Sequence, residues 1–225
     1  ALSGSNLIIS TGMATLEEVE NALAVVAFGL KNQSGVSPSA HEFRSAFKSE
    51  EGKRLLSKKV SLLHCTTDYP ANPKDINLRA MDTLREEFEL PVGYSDHSLG
   101  FEISIAAVAR GAQIIEKHFT LDKALPGPDH KASLEPYELK TMIDCIRNIE
   151  DSLGTKEKKP MLSELSNKKV ARKSLYARVD IKQGETIEEH MISIKRPEEG
   201  ISPMNLWDLI GTKANKNFKK NEALS

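Results

Sequence analysis

The sequence predicts an α/β fold with parallel strands, followed by a small second domain rich in β-structure. Four short apolar runs (NLIIS, VSLLHC, PVGYS and QIIEKHF) are each followed by a helical segment, and each run ends at polar residues. Such alternation of strands and helices is typical of parallel βαβ units. After residue 169 the pattern changes, because the strand-like runs SLYARVDI, MISIKRP and TKANKNF are separated only by turns and short helical segments.

Each helix has its own signal. The first begins at Thr15, with Glu18 three residues later in a capping-box pattern. Its apolar residues then recur at helical spacing: Leu16, Val19, Leu23, Val26 and Leu30. The segment INLRAMDTLREEF predicts an amphipathic helix, SLGFEISIAAVARG predicts one that ends at Gly111, and the last helix of this part runs from about Glu135 to Leu153.

Four strand–helix units allow two architectures, which are half of an eightfold barrel or an open four-stranded sheet. The predicted boundaries place the α/β part at residues 1–153, a polar linker at 154–169 and the small domain at 170–225. Residues 32–59 are polar and broken, and we interpret them as an insertion or an elaborated connection with a helix near His41 to Lys48. In either architecture, a site is expected at the carboxyl ends of the strands.

Charge and composition exclude several classes of function. The chain of 225 residues has 31 basic and 32 acidic side chains, so no excess of basic residues indicates nucleic acid or an anionic membrane as a partner. No apolar run approaches the roughly 20 residues of a membrane span. Two cysteines suit a reducing cytosol, and we expect a cytoplasmic protein. The chain begins ALSGSN without Met, so we expect that its start has been removed.

Two histidines follow neighbouring predicted strands, His97 after PVGYS and His118 within QIIEKHF. Adjacent strands lie about 4.8 Å apart, so both imidazoles can reach one ion. Two imidazoles with open positions suit a catalytic ion that also binds water or substrate. The competing interpretation is a pair of packed or hydrogen-bonded histidines. No third ligand is compelling, which argues against a structural zinc site.

Hydroxyl residues also occur at the strand ends: Ser10, Thr11, Thr66 and Ser95. Hydroxyls and backbone N–H groups beside helix N-termini favour a bound phosphate or carboxylate. Taken singly, each is more simply a turn or cap residue. Their repetition at three strand ends is what predicts an anion site.

Acidic residues complete the set of candidates. Strand side chains alternate in direction, so Glu116 should share the face of His118 while Lys117 points toward the helices. Glu116 is then a candidate orienting or acid–base group, or else a buried partner of a basic residue. Asp129 lies in the Gly/Pro-rich loop LPGPDH, which is either a lid or a solvated connection. Cys65 is a candidate nucleophile without an evident partner, and a small core residue is the better interpretation.

The motifs together resemble one family. The runs STGMATLEEVE, LLHCTTDYP, GYSDHSLG, IEKHFTLD and GPDHKASLEP resemble the sialic acid synthase family, which includes N-acetylneuraminate synthase and bacterial legionaminic and pseudaminic acid relatives. The runs KSLYARVDIKQGETI and LIGTKANKNFKKNEALS resemble the antifreeze-like (SAF) domain of that family. The resemblance covers nearly all of the chain outside residues 32–59.

This resemblance implies a TIM barrel followed by a SAF domain, with only the last four of the eight βα units in this chain. It implies condensation of phosphoenolpyruvate with N-acetylmannosamine, its 6-phosphate or a related amino sugar, with release of phosphate. It also implies a divalent cation, Mn²⁺ or Mg²⁺, at His97 and His118. Because the first barrel half is absent, we expect these 225 residues alone to be inactive.

The same resemblance assigns the other site residues. Phosphoenolpyruvate contacts fall on Ser10, Ser95 and the neighbourhood of Thr67, while Tyr69 and Asp129 face the sugar. Glu116 and Asp129 are the candidate catalytic groups. Arg196 of the SAF domain is the last substrate contact that the resemblance implies. It reaches the sugar in the partner barrel of a homodimer.

Other functions stay open beside this one. A metal-dependent aldolase or hydrolase would share the ion but not need phosphoenolpyruvate. A barrel that binds sugar phosphates without catalysing a reaction is another alternative. Loss of His97 or His118 would have favoured it, but both residues are present. Ice binding by the SAF domain alone is opposed by the charged runs KRPEEG and NKNFKKNE. The sequence does not fix the sugar, although the form of GYSDH and EKHFTLD favours a bacterial surface-sugar pathway.

Overall fold

The computed structural model describes residues 5–31 and 35–225, and the chain divides into two compact units at Gly154. The first unit contains β1 (Leu7–Ser10), α1 (Leu16–Lys31), α2 (Ala40–Lys48), α3 (Glu50–Lys59), β2 (Val60–Cys65), α4 (Pro73–Ile76), α5 (Ala80–Phe88), β3 (Val92–Asp96), α6 (Glu102–Ala109), β4 (Ile115–Lys117) and α7 (Pro136–Leu153). The second contains α8 (Leu165–Ala171), β5 (Ser174–Ala177), β6 (Ile192–Lys195) and α9 (Leu206–Leu209). No helix in the described ranges is long and apolar enough to cross a membrane.

The four strands of the first unit form one parallel sheet in the order β1-β2-β3-β4. The predicted alternation of parallel strands and helices is therefore confirmed. Cys65 of β2 is opposite Ser95 of β3, and Ser95 is opposite Glu116 of β4. This register brings the carboxyl ends of the strands to one edge of the sheet, where the site was expected.

The two faces of the sheet differ in what covers them. Leu62, Val92 and Tyr94 point to the helices and are fully buried in the main core. On the opposite face, Ile8 is 58% exposed and Glu116 is exposed as well. A sequential strand order with crossovers of one hand places all connecting helices on the same side of a sheet. The other side consequently faces away from every helix of this unit.

Residues 35–59 of the expected insertion are mostly helical, while residues 32–34 lie outside the described part. The helix predicted near His41 to Lys48 is confirmed as α2, which begins one residue earlier, whereas α3 was not predicted. Both pack on α1, and Ala46 and Leu56 are buried in the main core. Ser39 and Ser49 cap the two helices, since their side chains accept hydrogen bonds from Glu42 N and Gly52 N. The segment thus contributes to the core of the first unit.

The helix predicted across INLRAMDTLREEF is divided in the structure. Asn77 adopts a left-handed conformation with φ of 51° and ends α4, and α5 begins at Ala80. Helix α1 has the predicted capping box, because Thr15 N donates to Glu18 Oε2 (2.7 Å) and Glu18 N donates to Thr15 Oγ1 (3.3 Å). The start of the last helix was also predicted correctly to within one residue of Pro136.

The second unit has its own core, centred on Leu175, Ile181 and Phe218. Strands β5 and β6 are antiparallel, with Leu175 opposite Ile194. The prediction of a strand at TKANKNF is wrong, because this segment forms only isolated bridges, Lys213 with Thr186 and Phe218 with Ile181. Within the linker expected at 154–169, residues Leu162–Glu164 form a 3₁₀ turn and α8 begins at Leu165.

Candidate functional site

A row of polar side chains crosses the carboxyl ends of three strands. Cys65, Ser95 and Glu116 are register partners, and they lie on the face of the sheet away from the helices. The hydroxyl of Ser95 donates a 2.6 Å hydrogen bond to Glu116 Oε1. Glu116 therefore shares a face with the histidine that follows it, as the alternation of strand side chains predicted. Ser95 is buried, whereas Glu116 is open to the space in front of the sheet.

His97 is held so that one ring nitrogen is free to bind a ligand. Its Nδ1 lies 2.8 Å from the carbonyl oxygen of Thr66. A carbonyl only accepts hydrogen bonds, so Nδ1 carries the proton and Nε2 has a free lone pair. The nearest polar atom to Nε2 in this row is Ser95 Oγ at 3.5 Å, but that hydroxyl proton is already donated to Glu116. A carbonyl that fixes the tautomer in this way is typical of histidines that bind metals.

His118 lies beside His97 at the end of β4. The two imidazole centroids are 5.5 Å apart, with ring planes at 85°. The half-exposed ring of Tyr69 covers both imidazoles, with its centroid 4.3 Å from that of His97 and 5.7 Å from that of His118. Asp129 Oδ2 is 3.8 Å from Nδ1 of His118, which is too long for a hydrogen bond but close enough for attraction to a protonated or metal-bound ring. Four predicted site residues are thus assembled within one small region.

These residues fit a divalent cation with an incomplete protein coordination shell. Two imidazoles provide nitrogen ligands, and the free Nε2 of His97 is one of them. Across residues 5–31 and 35–225, no group of three or more His, Cys, Asp and Glu side chains is placed to hold a metal ion. An ion at this position would therefore keep several positions for water or substrate, as catalytic metals do.

The loop after β1 closely approaches the loop after β2. A side-chain carbon added at Gly12 would overlap Oγ1 of Thr67 and lie 2.8 Å from Cys65 Sγ. Only glycine permits this approach. It brings Ser10, which hydrogen-bonds the Cys65 thiol, to the same small region as Thr67. Three of the predicted anion-binding positions, Ser10, Thr67 and Ser95, are therefore grouped around Cys65.

Two other hydroxyls have structural roles. Thr11 is buried, and its Oγ1 donates to the carbonyl of Leu63 (2.9 Å), which ties the first loop to β2. The hydroxyl of Thr66 is directed to the carbonyl of Asp75 (3.4 Å), away from the row. For these two residues the interpretation as turn and cap groups fits better than anion binding. Thr66 still serves the site through its carbonyl, which holds His97.

Cys65 is buried in the centre of the row, and desolvation raises the pKa of its thiol; the nearby Glu116 carboxylate adds a smaller upward effect. Because a raised pKa lowers the thiolate fraction at any pH below it, we expect iodoacetamide to alkylate Cys65 at pH 8 at least about tenfold more slowly than a free thiol of ordinary pKa. The alkylation rate should still be rising steeply with pH at pH 9.

The measurement uses a Cys145→Ser variant, in which Cys65 is the remaining thiol of the chain. Mass spectrometry follows its alkylation against glutathione in the same tube. The control is the same variant in 6 M guanidinium, where the difference should vanish. Alkylation of folded protein as fast as glutathione at pH 8 would show that burial does not raise the pKa of the Cys65 thiol, and only a faster rate would make it a candidate nucleophile.

A buried ion pair lies on the opposite face of the same two strand ends. Lys117 Nζ is 3.2 Å from Asp96 Oδ2, and the two side chains are 3% and 0% exposed. Burial lowers the pKa of Lys117, and Asp96 partly offsets that effect. The neighbouring Tyr94 hydroxyl has a raised pKa, first because of burial and then because of the Asp96 charge. Lys117 thus points to the helix side, as predicted from the alternation.

Arg196 belongs to the second unit, where it is exposed immediately after β6. Its implied role stays a prediction. The role of Gly12 was not predicted, because it depends on the distance between two loops. The pairing of Asp96 with Lys117 was not predicted either. Each directly precedes a histidine, so the alternation of side chains could have identified both as residues of the helix side.

Sheet, strand-end site and second unit define an α/β protein with a polar, metal-compatible site, followed by a small separate domain. The NeuB family profile matches residues 1–158, and the SAF domain profile matches residues 172–225. The chain belongs to the NeuB family and carries a SAF domain. The resemblance deduced from the motifs is thereby confirmed.

Similar proteins include synthases of legionaminic, pseudaminic and neuraminic acids. The chain is 46% identical over 219 residues to an N,N'-diacetyllegionaminic acid synthase of Campylobacter jejuni, covering 97% of this chain and 58% of that protein. It is 38% identical to a pseudaminic acid synthase of the same species, covering 96% and 55%. A solved structure of an N-acetylneuraminic acid synthetase from Leptospira borgpetersenii, in complex with citrate, is 35% identical with a TM-score of 0.51, covering 71% and 55%. The chain therefore spans little more than half the length of these proteins.

Proposed function

We propose that this chain is part of a nonulosonic acid synthase, which joins phosphoenolpyruvate to the aldehyde of an N-acetylated amino sugar and releases phosphate. The observation that carries the proposal is the pair of imidazoles His97 and His118, 5.5 Å apart, next to a row of hydroxyl and carboxylate groups. Family membership and the synthases named among the relatives support the same reaction class.

In this proposal His97 and His118 hold one divalent cation, Mn²⁺ or Mg²⁺. The free Nε2 of His97 supports this role, and so does the position of the His118 ring, whose centroid is 5.5 Å from that of His97. When bound, the cation supplies Lewis-acid polarisation of the sugar aldehyde oxygen. Asp129 Oδ2 lies 3.8 Å from Nδ1 of His118, and we assign it the roles of orienting that ring and contacting a sugar hydroxyl. Tyr69, half exposed over both rings, forms the wall against which the sugar packs.

The hydroxyl positions would hold phosphoenolpyruvate. Ser10, Thr67 and Ser95 surround Cys65 at the strand ends, and hydroxyls of this kind donate to phosphate or carboxylate oxygens. Ser95, whose single proton goes to Glu116 in the free protein, would turn that proton to the substrate. Without substrate, Glu116 accepts the hydrogen bond from the Ser95 hydroxyl, so it fixes the direction of that O–H group. Its exposed carboxylate is also a candidate acid–base group facing the reacting carbons.

The reaction balances in two steps. The C2–C3 π electrons of phosphoenolpyruvate form a new bond from C3 to the aldehyde carbon, whose oxygen becomes a hydroxyl after taking a proton. The electron-poor C2 is then attacked by water, which loses a proton. Cleavage of the bond from C2 to the phosphate oxygen, with the remaining proton of the C2 hydroxyl passing to the departing phosphate, releases phosphate and leaves a 2-keto acid. Glu116 and Asp129 are the proposed groups for the proton transfers.

Two features of the whole protein are also proposals. The sequential parallel sheet, with helices on one face only, is half of a TIM barrel whose inner face is the exposed one. A homodimer would let Arg196 of one chain reach the sugar in the partner barrel. Its guanidinium would donate to the N-acetyl oxygen of the sugar, a planar contact for which arginine is suited.

The test is phosphate release by the protein as its gene encodes it, from phosphoenolpyruvate with Mn²⁺ and each candidate sugar in turn. We expect release that depends on one sugar and stops when a chelator is added. Candidates are N-acetylmannosamine, its 6-phosphate and the diacetamido-trideoxy sugars. Release that needs no sugar, or none with any sugar from folded and Mn²⁺-loaded protein, would contradict the proposal and favour a metal-dependent aldolase or a barrel that only binds sugar phosphates.

A further inference from the structure

The buried pair of Asp96 and Lys117 lies directly behind the two histidines. Asp96 precedes His97 in β3, and Lys117 precedes His118 in β4. The two are opposite each other in the β3–β4 register, and they form its last pair before the histidines. Because side chains alternate along a strand, the pair cannot touch a ligand at the histidine face. Any influence on that ligand must pass through the backbone.

The network around Asp96 leaves the turn after His97 little freedom. Asp96 Oδ1 accepts hydrogen bonds from the N–H (2.9 Å) and the hydroxyl (2.6 Å) of Ser98. Asp96 Oδ2 accepts from the Ser104 hydroxyl at 2.6 Å, which ties the turn to α6. Lys117 Nζ donates to the Ser98 carbonyl at 2.5 Å. Both backbone groups of Ser98 are therefore held, one by each member of the pair.

The histidine backbones are fixed from other directions as well. The His97 carbonyl accepts from Ala71 N (2.9 Å), so the peptide unit joining His97 to Ser98 is held at both its oxygen and its nitrogen. The His118 carbonyl accepts from Leu134 N (2.9 Å). What remains to be set is the separation of the ends of β3 and β4. Two side-chain links span this separation: the hydrogen bond from Ser95 to Glu116 on the front of the sheet, and on the helix side Lys117, which bonds to Asp96 and to Ser98.

We propose that Asp96 and Lys117 are positioning residues, whose buried ion pair sets the distance and orientation of the His97 and His118 imidazoles and hence the affinity for a divalent cation. The part concerning cation affinity rests on the proposed function. The part concerning ring geometry does not, since it follows from contacts within the chain. Neither residue is a catalytic group, because both are closed off on the helix side of the sheet.

The test compares three variants of the protein as its gene encodes it. Lys117→Met removes the cation from the pair, and Asp96→Asn with Lys117→Met removes both charges so that no buried charge is left alone. Lys123→Met is the matched control, since Lys123 forms an ion pair of 2.6 Å with Glu138 that is one-third exposed and contacts neither histidine. Circular dichroism first shows whether each variant is folded.

Two readouts separate the two parts of the proposal. Calorimetry with Mn²⁺ alone should give affinity about 10 to 100-fold weaker in the double variant, and unchanged within twofold in Lys123→Met, as for other residues that orient metal ligands. NMR of ¹⁵N-labelled histidine should show one Nδ1–H tautomer for His97 in the unaltered protein. The same ring should show mixed tautomers or exchange broadening in the double variant.

Each outcome is decisive for one part. Failure of the unaltered protein to bind Mn²⁺ would refute the metal site of the proposed function, while the ring signals would still judge the positioning role. A folded double variant with unaltered ring signals and unaltered Mn²⁺ affinity would overturn the positioning role and leave the pair a purely structural one. An equal loss in Lys123→Met would likewise overturn it, because the effect would not be specific to this pair.

Discussion

Under the proposed function, replacement of His118 by alanine should lower kcat for phosphate release by about 10³-fold, because one of the two proposed protein ligands of the cation is lost and with it several kcal/mol of Lewis-acid stabilisation. Across the described residues, no group of three or more His, Cys, Asp and Glu side chains is placed to hold a metal ion, so the structure offers no preformed third ligand. His97→Ala should act in the same way. The measurement is kcat at saturating phosphoenolpyruvate and sugar over a range of Mn²⁺ concentrations.

The matched control is His41→Ala. His41 is an exposed imidazole on α2 whose Nδ1 lies 3.1 Å from Glu42, far in the sequence from the strand ends. We expect its kcat to stay within twofold of the unaltered protein. A His118→Ala variant that retains a tenth or more of the original kcat would show that the cation, if bound, is not held by this ring.

The second large effect concerns stability. Lys117→Met should reduce the free energy of unfolding by about 3–5 kcal/mol, because Asp96 would remain buried as an uncompensated charge. Four hydroxyl or amide donors to Asp96 would survive, from Tyr94, Ser98 and Ser104, but none of them carries a charge. Guanidinium denaturation followed by circular dichroism at 222 nm measures the change, since the longest helices belong to the first unit.

The neutral double variant separates charge from packing. Asp96→Asn with Lys117→Met should recover most of the lost stability, as happens when both members of a buried ion pair are replaced together. Lys123→Met, which opens a partly exposed pair, should cost no more than about 1 kcal/mol. If Lys117→Met were as stable as Lys123→Met, Lys117 would not be charged inside the folded protein, or Asp96 would not be.

Much of the first unit could be predicted from local patterns. Alternating segments fixed the order of strands and helices, and Thr15 with Glu18 fixed the start of α1. The break at Asn77 was not predictable, because apolar spacing continues across it and only the left-handed backbone ends the helix. The second unit was harder, since TKANKNF meets its partners through single bridges rather than a ladder.

For the site, the rule that strand side chains alternate was enough to place Glu116 with His118 and to send Lys117 the other way. It could not show that Ser95 donates to Glu116, or that Thr66 holds Nδ1 of His97. Those contacts depend on how closely segments distant in the sequence approach each other. Thr66 and His97, for example, are about 30 residues apart in the chain. The requirement for Gly12 arises in the same way, from the approach of two loops that are distant in sequence.

The placement of ligand and buried charge on neighbouring residues also bears on how β3 and β4 find their pairing. A slip of one residue in either strand would reverse the face of every side chain in it. In the slipped strand, Asp96 or Lys117 would point to the front of the sheet without its ion-pair partner. The histidine next to it would point into the apolar layer between sheet and helices, where the other member of the ion pair would stay unpaired. Each strand end would incur a desolvation cost that the correct pairing avoids. The two dipeptides Asp96-His97 and Lys117-His118 thus specify their own alignment, and misaligned chains are disfavoured while the sheet is still forming.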